Sequence, residues 1–131
     1  MNNEHYEPLM PEAIKYIAET YGATKQTDMM LEEMSELTKA LLKFRRKLLN
    51  DGDIKHELEN IMEELADVQI MLWQIVYIYS TYPYHAFYSG ERKMFEIMPL
   101  IEAKIKRQLE RISKEQKEAD DETQKFKKAH A

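Results

Sequence analysis

The chain has no cysteine, three glycines, four prolines and one tryptophan among its 131 residues. Without cysteine there are no disulfides, no thiolate catalysis and no Cys-bound zinc or iron–sulfur site. So little glycine and proline argues against a turn-rich β fold and in favour of helices. The longest apolar-rich stretch, Val68 to Tyr79, is too short to span a bilayer, and Met1 to Pro8 carries neither a basic nor an apolar targeting segment. No membrane partner and a cytoplasmic location are therefore expected. A net charge of −5 argues against a nucleic-acid partner, since phosphate contacts need a concentrated basic surface, and none is expected, although local basic patches stay open. Phosphate-binding P-loops, Gly-x-Gly-x-x-Gly turns and Gly-x-Ser-x-Gly elbows are all missing. His5, His56, His85 and His130 are scattered without ligand spacing.

What is present is helical. With 44% hydrophobic and 33% charged residues, the length fits a single domain over residues 1–131. After a fraying Met1 to Met10, a short helix runs from Pro11 until Gly22 stops it. A second helix, capped by Thr27 or Asp28, has the stripe Met30, Met34, Leu37, Leu41, Phe44 and Leu48. A third begins near Ile54 to Leu58 and reaches about Tyr79; beyond Leu65 it is apolar nearly all round, as in a central or oligomer helix, with Trp73 as core or interface. Ser80 to Gly90 reads as a long connection. A fourth helix starts around Glu91 with a kink or restart at Pro99, and from Lys114 to Ala131 it becomes a charged fraying helix or a disordered tail. The expected fold is all-α, a four-helix-type bundle. Its leftover apolar surface points to a homo-oligomer.

Two segments repeat one another: Leu31-Glu-Glu-Met-Ser-Glu-Leu37 and Met62-Glu-Glu-Leu-Ala-Asp-Val68. At about 100° per residue, Glu33 lies about 20° from Ala40 and Phe44, and Glu64 lies about 20° from Met71 and Ile75. Both carboxylates therefore point among apolar neighbours, with Glu36 and Asp67 about 60° further round. Burying carboxylates face to face costs several kcal/mol unless cations lie between them, and oxygen-only ligands suit Mg2+ or Mn2+ better than iron.

The spacing Glu32-Glu33-x-x-Glu36, then Glu64-x-x-Asp67, resembles the EExxE…ExxD signature of the MazG-like all-α nucleoside triphosphate pyrophosphohydrolases. Tyr21-Gly22 and Gln26 before the first motif, and Leu37 to Arg46 after it, agree with that resemblance. It implies Mg2+-dependent hydrolysis of a (deoxy)nucleoside triphosphate to the monophosphate and pyrophosphate, by a homodimer or homotetramer. Metal would be held by Glu33, Glu36, Glu64 and Asp67, with Glu33 as the candidate general base because burial raises a carboxyl pKa.

Lys93, Lys104, Arg107 and Arg111 share one side of the fourth helix, and the late Lys-x-x-Arg segment resembles the family's phosphate-site region; a solvated face paired with acids is the plainer alternative. Lys39 and Lys43 either reach phosphates or balance Glu32 and Glu36. Gln26, seven residues before Glu33, is the candidate for a base or sugar. Two other classes remain open from sequence: a non-catalytic helical interaction protein, and a di-metal (iron or manganese) carboxylate protein, although the latter would favour Glu-x-x-His pairs that are not present.

Overall fold

The computed structural model describes residues 7–50, 52–81 and 96–131, all of whose regular structure is helical. The helices are α1 (Pro11–Tyr21), α2 (Ala23–Leu49), α3 (Lys55–Ser80) and α4 (Met98–Ala129). None is long and apolar enough to cross a membrane. The contacts divide the chain into two units, one holding α1 to α3 and the other α4.

Gly22 serves two helices at once. Its N–H donates to the Ala18 carbonyl at 2.9 Å and closes α1, while its own carbonyl accepts from the Gln26 N–H at 3.1 Å and opens α2. This one-residue corner needs φ 84° and ψ 169°, a region open essentially only to glycine. The corner also corrects the expected start of α2: the helix begins at Ala23, ahead of Thr27 and Asp28, so Gln26 falls in its first turn. No atom lies within 4 Å of where a Cβ would stand, so Gly22→Ala is expected to cost about 1–3 kcal/mol through backbone strain alone. Urea unfolding of the variant measures it; an unchanged midpoint would mean the corner adapts.

The two longest helices of the first unit run antiparallel. Polar ties join Gln26 to Gln74 at one end and Lys47 to Glu57 at the other, so residue numbers converge toward the intervening turn. Their facing sides repeat every seven residues: Gln26, Met30, Glu33, Leu37, Ala40, Phe44 and Lys47 on α2, and Glu57, Ile61, Glu64, Val68, Met71, Ile75 and Ile78 on α3, all buried or half-buried. Met30, Val68 and Met71 form the core, with Leu37 and Ile75 packed against it. This is the alternating four-and-three spacing that two helices need to mesh along a shared seam. The first helix adds Ile14 and Ala18 to the core, and the Tyr77 hydroxyl of α3 donates to Glu19.

The expected stripe of α2 is only half right. Met30, Leu37 and Phe44 face α3, but Met34, Leu41 and Leu48 are about half exposed. Seam and stripe differ because α2 carries apolar residues on two sides. Likewise α3 buries the most residues of any described helix while Leu58, Met62, Leu65 and Leu72 stay exposed. Trp73 is half-buried.

Of the kink or restart expected at Pro99, the described residues show a helix start. Pro99 lies in the first turn of α4, where a missing N–H breaks no hydrogen bond, so it opens the helix instead of kinking it. The expected beginning near Glu91, together with Lys93 and Met94, falls outside the described residues, as do His5, His85 and most of the Ser80 to Gly90 connection. The charged segment after Lys114 is helical through Ala129, supported by exposed pairs such as Lys114 with Glu118.

Candidate metal centre

Glu33 and Glu64 occupy seam positions, where packing alone would call for leucine or valine. Asp67 projects from the next turn of α3. One carboxylate oxygen from each of the three lies within 4.8 Å of the others, so two helices bring three oxygen ligands to one place. Glu33 and Glu64 are half-buried and Asp67 is exposed, leaving one side of the cluster open to water.

The electrostatics follow from that geometry. Partial burial is the main force raising the Glu33 carboxyl above the ordinary range, and the negative charges of Asp67, Glu64, Glu32 and Glu36 add to it in that order. No basic side chain pairs with Glu33, Glu64 or Asp67 among the described residues; Lys39, on the outer side of α2, pairs instead with Glu36 at 3.2 Å. A set of hard oxygens held close and unneutralised is the donor set a hard divalent cation takes.

Glu36, expected as a fourth ligand, is therefore not among the three; its carboxylate is engaged by Lys39 one turn away. Lys43 is exposed on α2, ten residues and about 15 Å of helix rise beyond Glu33. Lys104, Arg107 and Arg111 are exposed along one side of α4 and have no ion-pair partner among the described residues, whereas Lys106 and Lys114 pair with Glu102 and Glu118. Gln26 lies inside, 3% exposed, donating through Nε2 to Gln74 Oε1 at 2.6 Å; Gln74 is 2% exposed. In this arrangement the Gln26 amide faces its partner helix.

Two buried polar residues escaped the sequence reading. Gln74 follows Asp67 by seven residues just as Gln26 precedes Glu33 by seven, and that symmetry was the available signal. Glu57, 3% exposed, accepts from Lys47 Nζ at 2.9 Å through Oε1, while its Oε2 is buried without a hydrogen-bond partner. The Lys47 ammonium holds the Glu57 carboxyl below the ordinary range, against an opposing push from burial. A lowered folded-state value stabilises the fold above the unfolded pKa, about 4.3, and that contribution is lost as pH falls through the folded value. The stability gap between the native chain and Lys47→Met should thus be widest above about pH 5 and close in stronger acid. Urea midpoints across pH test this; a gap constant with pH would show that Lys47 acts only through packing.

Compared with known proteins, the chain matches no family model, no curated protein and no solved structure.

Proposed function

We propose that this protein is a Mg2+-dependent hydrolase that cleaves a (deoxy)nucleoside triphosphate to the nucleoside monophosphate and pyrophosphate. The observation that carries the reading is the trio Glu33, Glu64 and Asp67, two of them at apolar seam positions, with oxygens within 4.8 Å of one another. Packing gives no reason to place repelling acids there; cation binding does. Resemblance of the two acidic motifs to the MazG-like pyrophosphohydrolases supplies the reaction.

In this reading Glu33, Glu64 and Asp67 hold Mg2+, with Mn2+ as an alternative, and Glu36 joins them when it leaves Lys39. The bound cation supplies neutralisation of phosphate oxygens and a water of lowered pKa. A carboxylate that ligates the cation loses its raised pKa, so Glu33, the more buried of its pair, accepts the proton from the attacking water only where Glu64, Asp67 and Glu36 hold the cation in its place. On α4, Lys104, Arg107 and Arg111 offer a cationic face free of acidic partners among the described residues, suited to phosphate. The exposed repeats Met34, Leu41, Leu48 and Leu58, Leu65, Leu72 favour a working homo-oligomer, a dimer or tetramer.

The test is pyrophosphate release from a panel of ribo- and deoxynucleoside triphosphates with and without Mg2+. Metal-dependent release from at least one nucleotide is expected, and the ranking names the substrate. Absence of release from every nucleotide would sink the hydrolase reading and favour a helical interaction protein built on those apolar repeats.

A further inference from the structure

We propose that a polyphosphate bound at the metal centre runs along α2 toward the α2–α3 turn, where Lys43 and Asn60 receive it, so that a nucleotide lies with its nucleoside toward Gly22. The inference rests on the hydrolase reading for its substrate and adds the direction in which that substrate lies. All the residues it uses belong to the unit that holds α1 to α3. Two antiparallel helices present the same rotational side to the same face of their pair. Glu36 and Asp67, each about 60° round from the inward Glu33 and Glu64, therefore share one face, the one on which exposed Asp67 leaves the cluster open. Lys43 follows Glu36 by seven residues and lies within about 20° of its line, on that face. Asn60 precedes Glu64 by four residues and lies about 40° round in the same sense. The exposed Met34, Leu41, Leu58 and Leu65 fall on the other face.

The two directions along this face differ. Toward Gly22, seven residues before Glu36, stands Met29, and seven residues after Asp67 stands Gln74, buried and bonded to Gln26; neither offers a phosphate a charge. Lys25, further that way, lies over the Tyr21 ring, 4.5 Å from its centroid. Toward the turn stands Lys43, exposed and without an ion-pair partner among the described residues. Its backbone is about 10 Å of helix rise beyond Glu36, but helical side chains lean toward the N-terminus. Lys39 shows that lean, its Nζ reaching back three residues to Glu36 at 3.2 Å. The same lean brings the Lys43 ammonium to about 5 Å, one turn, beyond Glu36, within reach of the phosphates that follow a cation-bound one. Across the seam Asn60 is half-buried, and its amide has no hydrogen-bond partner among the described residues. An unused amide donor beside an ammonium is a pair that phosphate oxygens accept from. Lys47, the next cation along, is held by Glu57 at 2.9 Å, so the phosphate path ends at Lys43. The pair of Lys39 with Glu36 is exposed, and such pairs contribute little, so Lys39 turns to phosphate when Glu36 joins the cation. Glu59 and Glu63 lie about 100° or more round from Glu64, on the outer edge of α3.

Titration calorimetry of the full-length chain in Mg2+, with inorganic pyrophosphate and tripolyphosphate as probes, tests the direction without any turnover. Lys43→Met is expected to weaken binding of both about tenfold or more, as for one lost charge-assisted contact, and Lys43→Arg to restore most of it. Asn60→Leu should weaken both as well. Arg45→Met removes the same charge two residues on, but about 120° round from Glu33 in the opposite sense, and should leave the affinity unchanged. Equal weakening by Lys43→Met and Arg45→Met would show only general attraction and overturn the proposal. Native affinity in Lys43→Met would overturn it too, as would failure of pyrophosphate to bind the native chain. Urea midpoints of the exposed-site variants, expected at the native value, confirm that they fold. Nucleotide turnover is measured separately. Turnover with KM and kcat unchanged in Lys43→Met would overturn the direction and leave the hydrolase reading standing. Lys43-dependent pyrophosphate binding without turnover of any nucleotide would sink the hydrolase reading and keep the polyphosphate site.

Discussion

Glu64→Gln is expected to make the metal-free protein more stable while removing its Mg2+-dependent activity. Loss of a ligand should exceed the roughly 10–100-fold effect of losing a residue that merely orients one, so pyrophosphate release should fall at least about 100-fold. Stability moves the other way because Glu33 and Asp67 lose a repelling neighbour. The pH dependence carries the same signature. A carboxyl raised in the folded state costs nothing below its unfolded pKa, about 4.3, and costs stability as pH rises through the folded value, because the folded chain then binds the proton more tightly. In the metal-free native protein, Glu33 therefore opposes folding at neutral pH, and Glu64→Gln should lessen that loss while burial and Asp67 keep the rest of it. Thermal or urea melts with and without Mg2+ separate the effects. At a free cation concentration 100 times the dissociation constant, the native chain gains about 2.7 kcal/mol and the variant much less. Equal Mg2+ effects on both, with the variant less stable than the native chain, would mark the cluster as an ordinary structural acidic patch.

The parts of the fold that were legible in the sequence are those that obey helical period alone. Gly22 as a stop, Pro11 as a start and the inward direction of Glu33 and Glu64 all follow from local rules, and the structure shows each of them. What was not legible depends on which neighbour a face meets. Met34, Leu41 and Leu48 look as apolar as Met30 and Phe44, so a single helix cannot reveal that only the second pair faces α3. Pro99 leaves a kink and a helix start equally open in the sequence, since the two differ only in where the helix begins, and the structure shows the start. Glu36 and Asp67 occupy matching places in the two motifs, yet only Asp67 reaches the cluster, while the Glu36 carboxylate pairs with Lys39 one turn on. Ala66-Asp67-Val68 offers no such cation. The polar residues of the seam were hardest to see: a buried glutamine is indistinguishable from a surface one until its partner is known.

That last point has the second large consequence. Gln74→Leu conserves volume but leaves the Gln26 amide buried without its acceptor, which should cost about 1–3 kcal/mol. Gln26→Leu should cost a similar amount by orphaning the Gln74 carbonyl. The double Leu variant is expected to recover much of that loss, since replacing both partners by apolar groups of like shape removes the unpaired polar atoms altogether. Urea unfolding of the four chains forms the cycle, and simple additivity of the single costs would show that the two amides act independently. Recovery of stability need not restore the metal centre. Gln26 precedes Glu33 by seven residues and Gln74 follows Asp67 by seven, so the amide pair lies two turns from the carboxylates on the same seam, with Lys47 and Glu57 fixing the other end. A polar pair inside an apolar seam selects one register at some expense of stability, because any slip unpairs it. A chain with leucine at both positions can slide α2 along α3 without that penalty, and the oxygens held within 4.8 Å then spread. The double variant should accordingly unfold near the native midpoint yet gain less stability from Mg2+ than the native chain does. An undiminished Mg2+ effect would mean that Lys47 and Glu57 set the register unaided.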